Sequence, residues 1–168
     1  MITVPEHGEA VEYYQGYISQ AGPGDIVQQM VSTPAVELLR GIPEERSLFR
    51  YAPGKWSIRE VMSHINDTER VFAFRAFWFA REFEPELPSF DQDFAMGRAA
   101  ADGRTLASHL EEFRSLRAST QALFRELPPE AWMRRGVASG NPFTVRALAY
   151  IIVGHVNHHL RVLKEKYL

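Results

Sequence analysis

The sequence predicts an all-α protein, an up-and-down four-helix bundle. Three observations point there: four long stretches with apolar residues at helical spacing, Gly and Pro punctuation between them, and a strong helix-start signal at Ser57. No period-two stretch flanked by hairpin turns competes with that reading. A chain of 168 residues is long enough for one full hydrophobic core. Residues 1–168 are therefore expected to form a single bundle domain, with 1–23 as an N-terminal segment packing on it.

The elements follow from local chemistry. The segment before Pro23 carries Tyr13, Tyr14, Tyr17 and Ile18 and is expected to be a short helix against the bundle. Gly22-Pro23-Gly24-Asp25 is a break, and Asp25 can cap a first long helix running to about Gly41. Pro43 to Trp56 is a connector. Ser57 and Glu60 form a capping box: the serine accepts from the N3 amide and the glutamate reaches back to the cap amide. The second helix then runs to about Phe83, before Pro85. A third is expected from Thr105 to Leu127, stopped by Pro128-Pro129, and a fourth from Thr144 almost to the end. Lys164 and Lys166 place cations where the last helix dipole is negative. The connectors Glu84–Arg104 and Pro128–Phe143 are long enough to serve as lids or walls of a site.

Composition removes several function classes. The net charge is −2, from 19 basic and 21 acidic residues, and no basic stripe offers a nucleic-acid footprint. The longest apolar run, Ala147 to Val153, is too short to span a bilayer. Met1 to Ala10 lacks the charged and apolar regions of an export signal, so a cytoplasmic location is expected. There is no cysteine, so any metal must sit on nitrogen and oxygen ligands.

The six histidines then become informative. On the fourth helix, Val145, Leu148, Ile152, Val156 and Leu163 form one narrow stripe, and His155 and His159 fall on it, one turn apart. His158 lies roughly 120° away at about 100° per residue. On the second helix, Ile58, Val61, Ile65 and Phe72 define the inner stripe, with His64 and Thr68 on or beside it. One inward histidine is ordinarily a satisfied core residue. Two on one apolar stripe, facing a third, need partners for their ring nitrogens. One divalent ion satisfies several neutral imidazoles at once, and such ligands suit zinc, nickel, copper or iron. His64, His155 and His159 are therefore the candidate metal ligands, and His158 is the alternative that a rotated or distorted helix would bring in place of a neighbour. His7 reads as a polar terminal residue, and His109 as a surface group or a support to the ligands.

These residues, in this order, resemble the DinB/YfiT-like family of metalloenzymes. The resemblance spans about Tyr14 to Leu168. It is carried by Tyr51-Ala52-Pro53-Gly54-Lys55-Trp56-Ser57-Ile58-Arg59-Glu60-Val61 before His64, then Asp67-Thr68-Glu69-Arg70, Phe90-Asp91, Phe113-Arg114 with Arg117, Arg146-Ala147-Leu148 and Gly154-His155 through His158-His159-Leu160. It implies a four-helix bundle, often a homodimer, with nickel or zinc on three histidines that map onto His64, His155 and His159. It also implies a small-molecule substrate. Some relatives transfer low-molecular-weight thiols and others are labelled metal-dependent hydrolases.

Three ligands leave a coordination position open, the pattern of catalytic rather than structural sites. Val156 follows His155, so this is not the H-E-x-x-H arrangement of metalloproteases. A general base must come from elsewhere, and Asp91, Asp93 and Glu69 are the candidates, each equally readable as solvated charge. Arg117 falls within the apolar stripe of Leu106, Leu110, Phe113 and Phe124. It is either a structural ion pair with a second-helix carboxylate or a docking group for an anionic substrate. The aromatic cluster Phe72, Phe74, Phe77, Trp78 and Phe79 reads as core or dimer face, and Trp56 as packing at the helix start. From sequence, three readings stand: a metal-dependent enzyme, a metal-stabilised bundle or interaction module, and a bundle with three unrelated core histidines.

Overall fold

The computed structural model describes residues 2–168. Three long helices dominate. Before them come α1 (Glu12–Ile18), α2 (Ile26–Gln29) and α3 (Pro34–Leu39). The long helices are α4 (Ile58–Ala80), α6 (Leu106–Arg125) and α7 (Val145–Lys166), with α5 (Gln92–Ala99) between the first two. A hairpin of β1 (Arg135–Ala138) and β2 (Asn141–Thr144) leads directly into α7. The bundle expected from sequence is present, with α2 and α3 together filling the position of its first helix.

The expected starts are where side-chain chemistry puts them. Ser57 Oγ accepts from the Glu60 amide at 3.0 Å while the Glu60 carboxylate accepts from the Ser57 amide at 2.7 Å, completing the capping box of α4. Thr105 and Thr144 cap α6 and α7 through their hydroxyls. Asp25 caps α2 by accepting from the Val27 and Gln28 amides.

Three features differ from expectation. The first long helix is broken: Thr33 adopts φ −118°, ψ 63°, and Pro34 restarts the helix as α3. Proline lacks the amide that would continue the ladder and disfavours helical geometry in the residue before it. The Glu84–Arg104 connector contains α5, capped by Asp91 through the Asp93 and Phe94 amides. The Pro128–Phe143 connector holds the hairpin, whose turn is Ser139-Gly140 at φ 56° and 71°. Both positions need the left-handed region, the signature of a two-residue hairpin turn. The hairpin lies on α4 through Gly136, where a Cβ would fall 1.9 Å from the Phe79 ring. Leu87 joins its edge, donating to the Val137 carbonyl and accepting from the Ser139 amide, each at 3.0 Å.

α4 packs on α6 and α7, and α2 and α3 pack on the same two helices. The first and second bundle helices therefore face each other across a diagonal, joined by the connector of residues 43–56. α1 packs along α7. The N-terminal segment is tied down by Glu9, whose carboxylate accepts from Thr144 Oγ1 at 2.7 Å and pairs with Arg146.

Apolar burial is divided into two clusters. One gathers Phe72, Phe79, Phe124, Phe143 and the first half of α7; the other gathers Ile58, Ile65, Leu110, Phe113 and the second half of α7. Between them the helices turn buried polar side chains inward: His64, Thr68 and Glu69 from α4, Arg117 and Thr120 from α6, His155 from α7. Among the described residues, no helix is long and apolar enough to cross a membrane.

Candidate metal centre and its clefts

The polar layer holds the triad. His64 on α4 and His155 and His159 on α7 each offer a ring nitrogen, and the three nitrogens lie within 4.8 Å of one another. His155 Nε2 is 3.1 Å from His64 Nε2 and 3.1 Å from His159 Nε2. The i, i+4 spacing on α7 stacks two rings on one face, and the α4–α7 packing brings the third across. Trp56 packs its ring 4.9 Å from that of His64, so its place is against the triad as well as at the helix start.

Burial holds all three imidazoles neutral. Desolvation pushes His64 down to about 4 and His159 down to about 3; repulsion from His158 adds to both, and repulsion from His64 adds to His159. His155 is lowered well below the ordinary value, again first by desolvation and then by its neighbours. A neutral ring nitrogen is either a donor or a single lone pair. His155 Nε2 therefore makes one good hydrogen bond, yet two nitrogens sit at contact distance from it. Hydrogen bonding alone leaves the cluster short, whereas a cation accepts every lone pair. The two 3.1 Å separations also fit: at metal–nitrogen distances of about 2.0–2.1 Å, nitrogens sharing an ion lie roughly 2.9–3.4 Å apart.

The other candidates separate clearly. His158 lies outside the cluster, edge-on to Tyr17 and to His159 at ring separations of 5.4 and 5.1 Å. His109 is fully buried rather than at the surface: it sits at the α4–α6 interface with Nε2 3.0 Å from the Ala101 carbonyl. His7 is exposed in the terminal segment. Arg117 donates to Glu69 at 2.8 Å in a pair that is almost wholly buried, which is the structural ion pair. Glu69 is thereby occupied, and Asp91 is occupied in capping α5. Asp93 is exposed and lines a cleft with His158 and His159.

Two clefts reach the triad. One, of about 230 Å³, is walled by His64, His155, Thr68, Tyr17 and Phe72, with Phe90 and Gln92 contributed by the α4–α5 connector and α5. The other, of about 320 Å³, reaches His159 past Trp56, Lys55 and Asp93. The connector between α4 and α5 thus forms a wall, as its length suggested. Tyr17 stands edge-on to His155 at 5.4 Å, and burial pushes its phenol up, so it stays protonated. Sequence reasoning missed Arg75, which lines the first cleft. The signal was available: Arg75 follows Phe72 by one helical turn on the stripe assigned to the core.

A four-helix bundle with three inward imidazoles converging from two helices, beside solvent-reaching clefts, defines a class of helical proteins with a candidate metal centre. The chain belongs to the DinB superfamily, whose family model matches residues 33–163. Among solved structures it is similar to YfiT from Bacillus subtilis, described as a probable metal-dependent hydrolase with an unusual four-helix bundle topology. That likeness has a TM-score of 0.75 at 17% identity and covers 96% of this chain and 89% of that one. It establishes a shared fold. No curated protein matches the chain.

Proposed function

We propose that this protein holds one divalent ion, nickel or zinc, on His64, His155 and His159, and uses it to hydrolyse a small molecule bound in the adjoining cleft. The observation that carries this is the convergence of three neutral Nε2 atoms, those of His64 and His155 buried and that of His159 half-buried, two pairs of them 3.1 Å apart, with no hydrogen-bonding pattern that serves all three. The description of YfiT as a probable metal-dependent hydrolase supports the reaction class. When bound, the ion supplies Lewis acidity at the floor of the cleft.

The chain's own residues supply the rest. Thr68 Oγ1, 3.4 Å from His64 Nδ1, orients the first ring. Tyr17 walls the cleft edge-on to His155. Among the described residues Asp93, on the His159 side, is the one candidate carboxylate neither capping a helix nor paired with a cation, and it is our choice for accepting a proton.

A second reading has its own observation. Separate clefts meet the triad at His64 and His155 and at His159, and a two-substrate transfer of a low-molecular-weight thiol needs two such approaches. One experiment tests both. Nickel- and zinc-loaded protein is assayed against activated esters and amides, and against a thiol with an electrophilic acceptor. Chelator-sensitive ester or amide cleavage, lost in His155→Ala, supports hydrolysis. Activity only when thiol is present supports transfer. Stoichiometric metal with neither activity, and a large melting-temperature drop on chelation, supports a metal-stabilised module instead.

A further inference from the structure

Arg75 sits on α4 one turn beyond Phe72 and is 4% exposed. Its guanidinium finds only neutral acceptors. Nη2 donates to Ser139 Oγ at 3.0 Å and to the Pro88 carbonyl at 3.2 Å, and Tyr14 lines the cleft beside it. Among the described residues no carboxylate pairs with it, whereas the other buried arginines on the bundle, Arg59, Arg117 and Arg146, each have a glutamate. Removing a cation from water without a counter-charge is costly. An anion bound beside it would supply the missing counter-charge.

The direction of the side chain says where. Arg75 lines the same cleft as His64 and His155 and is the cleft's single permanent cation. It also borders a second, largely apolar hollow of about 360 Å³ with Phe74, Leu87 and Phe90. We infer that Arg75 is the anion-binding residue of this cleft and that the substrate is a small aromatic or apolar carboxylate. A planar guanidinium matches a carboxylate in two parallel hydrogen bonds. A lone cation flanked by Ser139 and Tyr14 hydroxyls suits one negative charge better than the two of a phosphate monoester. The walls of Tyr14, Phe72 and Phe90 suit a flat apolar body. Arg75 thus takes the docking role that sequence offered to Arg117. This inference rests on the proposal that the cleft beside the triad holds the substrate.

The test uses benzoate, with benzamide, benzyl alcohol and phenyl phosphate as comparators. Binding is measured by calorimetry or by NMR shifts, on the full chain, both metal-loaded and metal-free. Benzoate should bind the wild type more tightly than either neutral analogue and more tightly than phenyl phosphate. Arg75→Gln should weaken benzoate about tenfold or more while leaving benzyl alcohol unchanged. Should Arg75→Gln not fold, Arg75→Lys decides: it keeps the charge, loses the planar fork, and should still weaken benzoate severalfold. Equal affinity for benzoate and benzamide, or equal loss of benzoate and benzyl alcohol in the variant, overturns the inference, the latter showing that Arg75 only shapes the wall. Tighter binding of phenyl phosphate overturns the carboxylate assignment. The metal-free arm keeps the two proposals apart, because an Arg75-dependent preference measured there does not depend on the triad holding an ion.

Discussion

The backbone carbonyl of Tyr17 rests against Gly154: a Cβ at position 154 would fall 1.8 Å from that oxygen. Gly154 immediately precedes His155, and Tyr17 lies edge-on to the His155 ring. α1 therefore approaches α7 backbone to backbone at the level of the triad, and only glycine permits it. Gly154→Ala should destabilise the protein by about 1–3 kcal/mol, the usual range for overpacking. An unobstructed helical glycine behaves oppositely, gaining up to about 1 kcal/mol from the same change. Thermal or urea unfolding of the single variant gives the sign.

Arg117 and Glu69 form the other half of the polar layer. Arg117→Met leaves a buried carboxylate without its counter-charge and should cost about 3–5 kcal/mol, as for other broken buried pairs. Replacing both, as Arg117→Met with Glu69→Met, should recover most of that loss, because the desolvation of two charges disappears with them. The two urea titrations together separate a structural pair from a docking residue: a docking arginine would show no such recovery.

Much of this molecule was legible in the sequence, for identifiable reasons. Ser57 with Glu60, Thr105 and Thr144 mark helix starts because their side chains satisfy amides that the helix leaves free, a local event that does not depend on tertiary context. His64, His155 and His159 were legible because helical periodicity alone fixes which face a residue shares. What escaped was set by single residues or by packing at a distance. Pro34 breaks a helix whose apolar spacing runs straight through it. Ser139 takes a left-handed conformation that a serine does not advertise, and the strand β2 begins Asn141-Pro142, which argues against a strand. The burial of His109 depends on the Ala101 turn folding over it. Arg75 was passed over because its stripe reads as core; only the closing of Pro88 and Ser139 around it shows a cation without a counter-charge.

The histidines also set a pH dependence. In metal-free protein, His64 and His159 are depressed from 6.5 to about 4 and about 3, and His155 is lowered in the same sense. The unfolded chain therefore takes up protons below about pH 6.5 that the fold refuses. Stability is full above that value, falls as pH drops through the window, and stops falling on this account once the folded imidazoles themselves titrate. Urea unfolding between pH 7.5 and 5 in chelator (the pH range chosen at roughly the histidine window) should show that decline. His155→Ala should remove about one proton from the slope. A pH-independent midpoint in the wild type would rule out buried neutral histidines.

The most direct measurement is metal content. Purified wild-type protein and the single variants His64→Ala, His155→Ala, His159→Ala and His158→Ala are equilibrated with nickel or zinc, desalted and analysed by elemental mass spectrometry. The three-histidine centre requires about one ion per wild-type chain, near-complete loss in the first three variants, and no change in His158→Ala. Wild-type protein without bound metal, or loss in His158→Ala equal to that in His155→Ala, would contradict it.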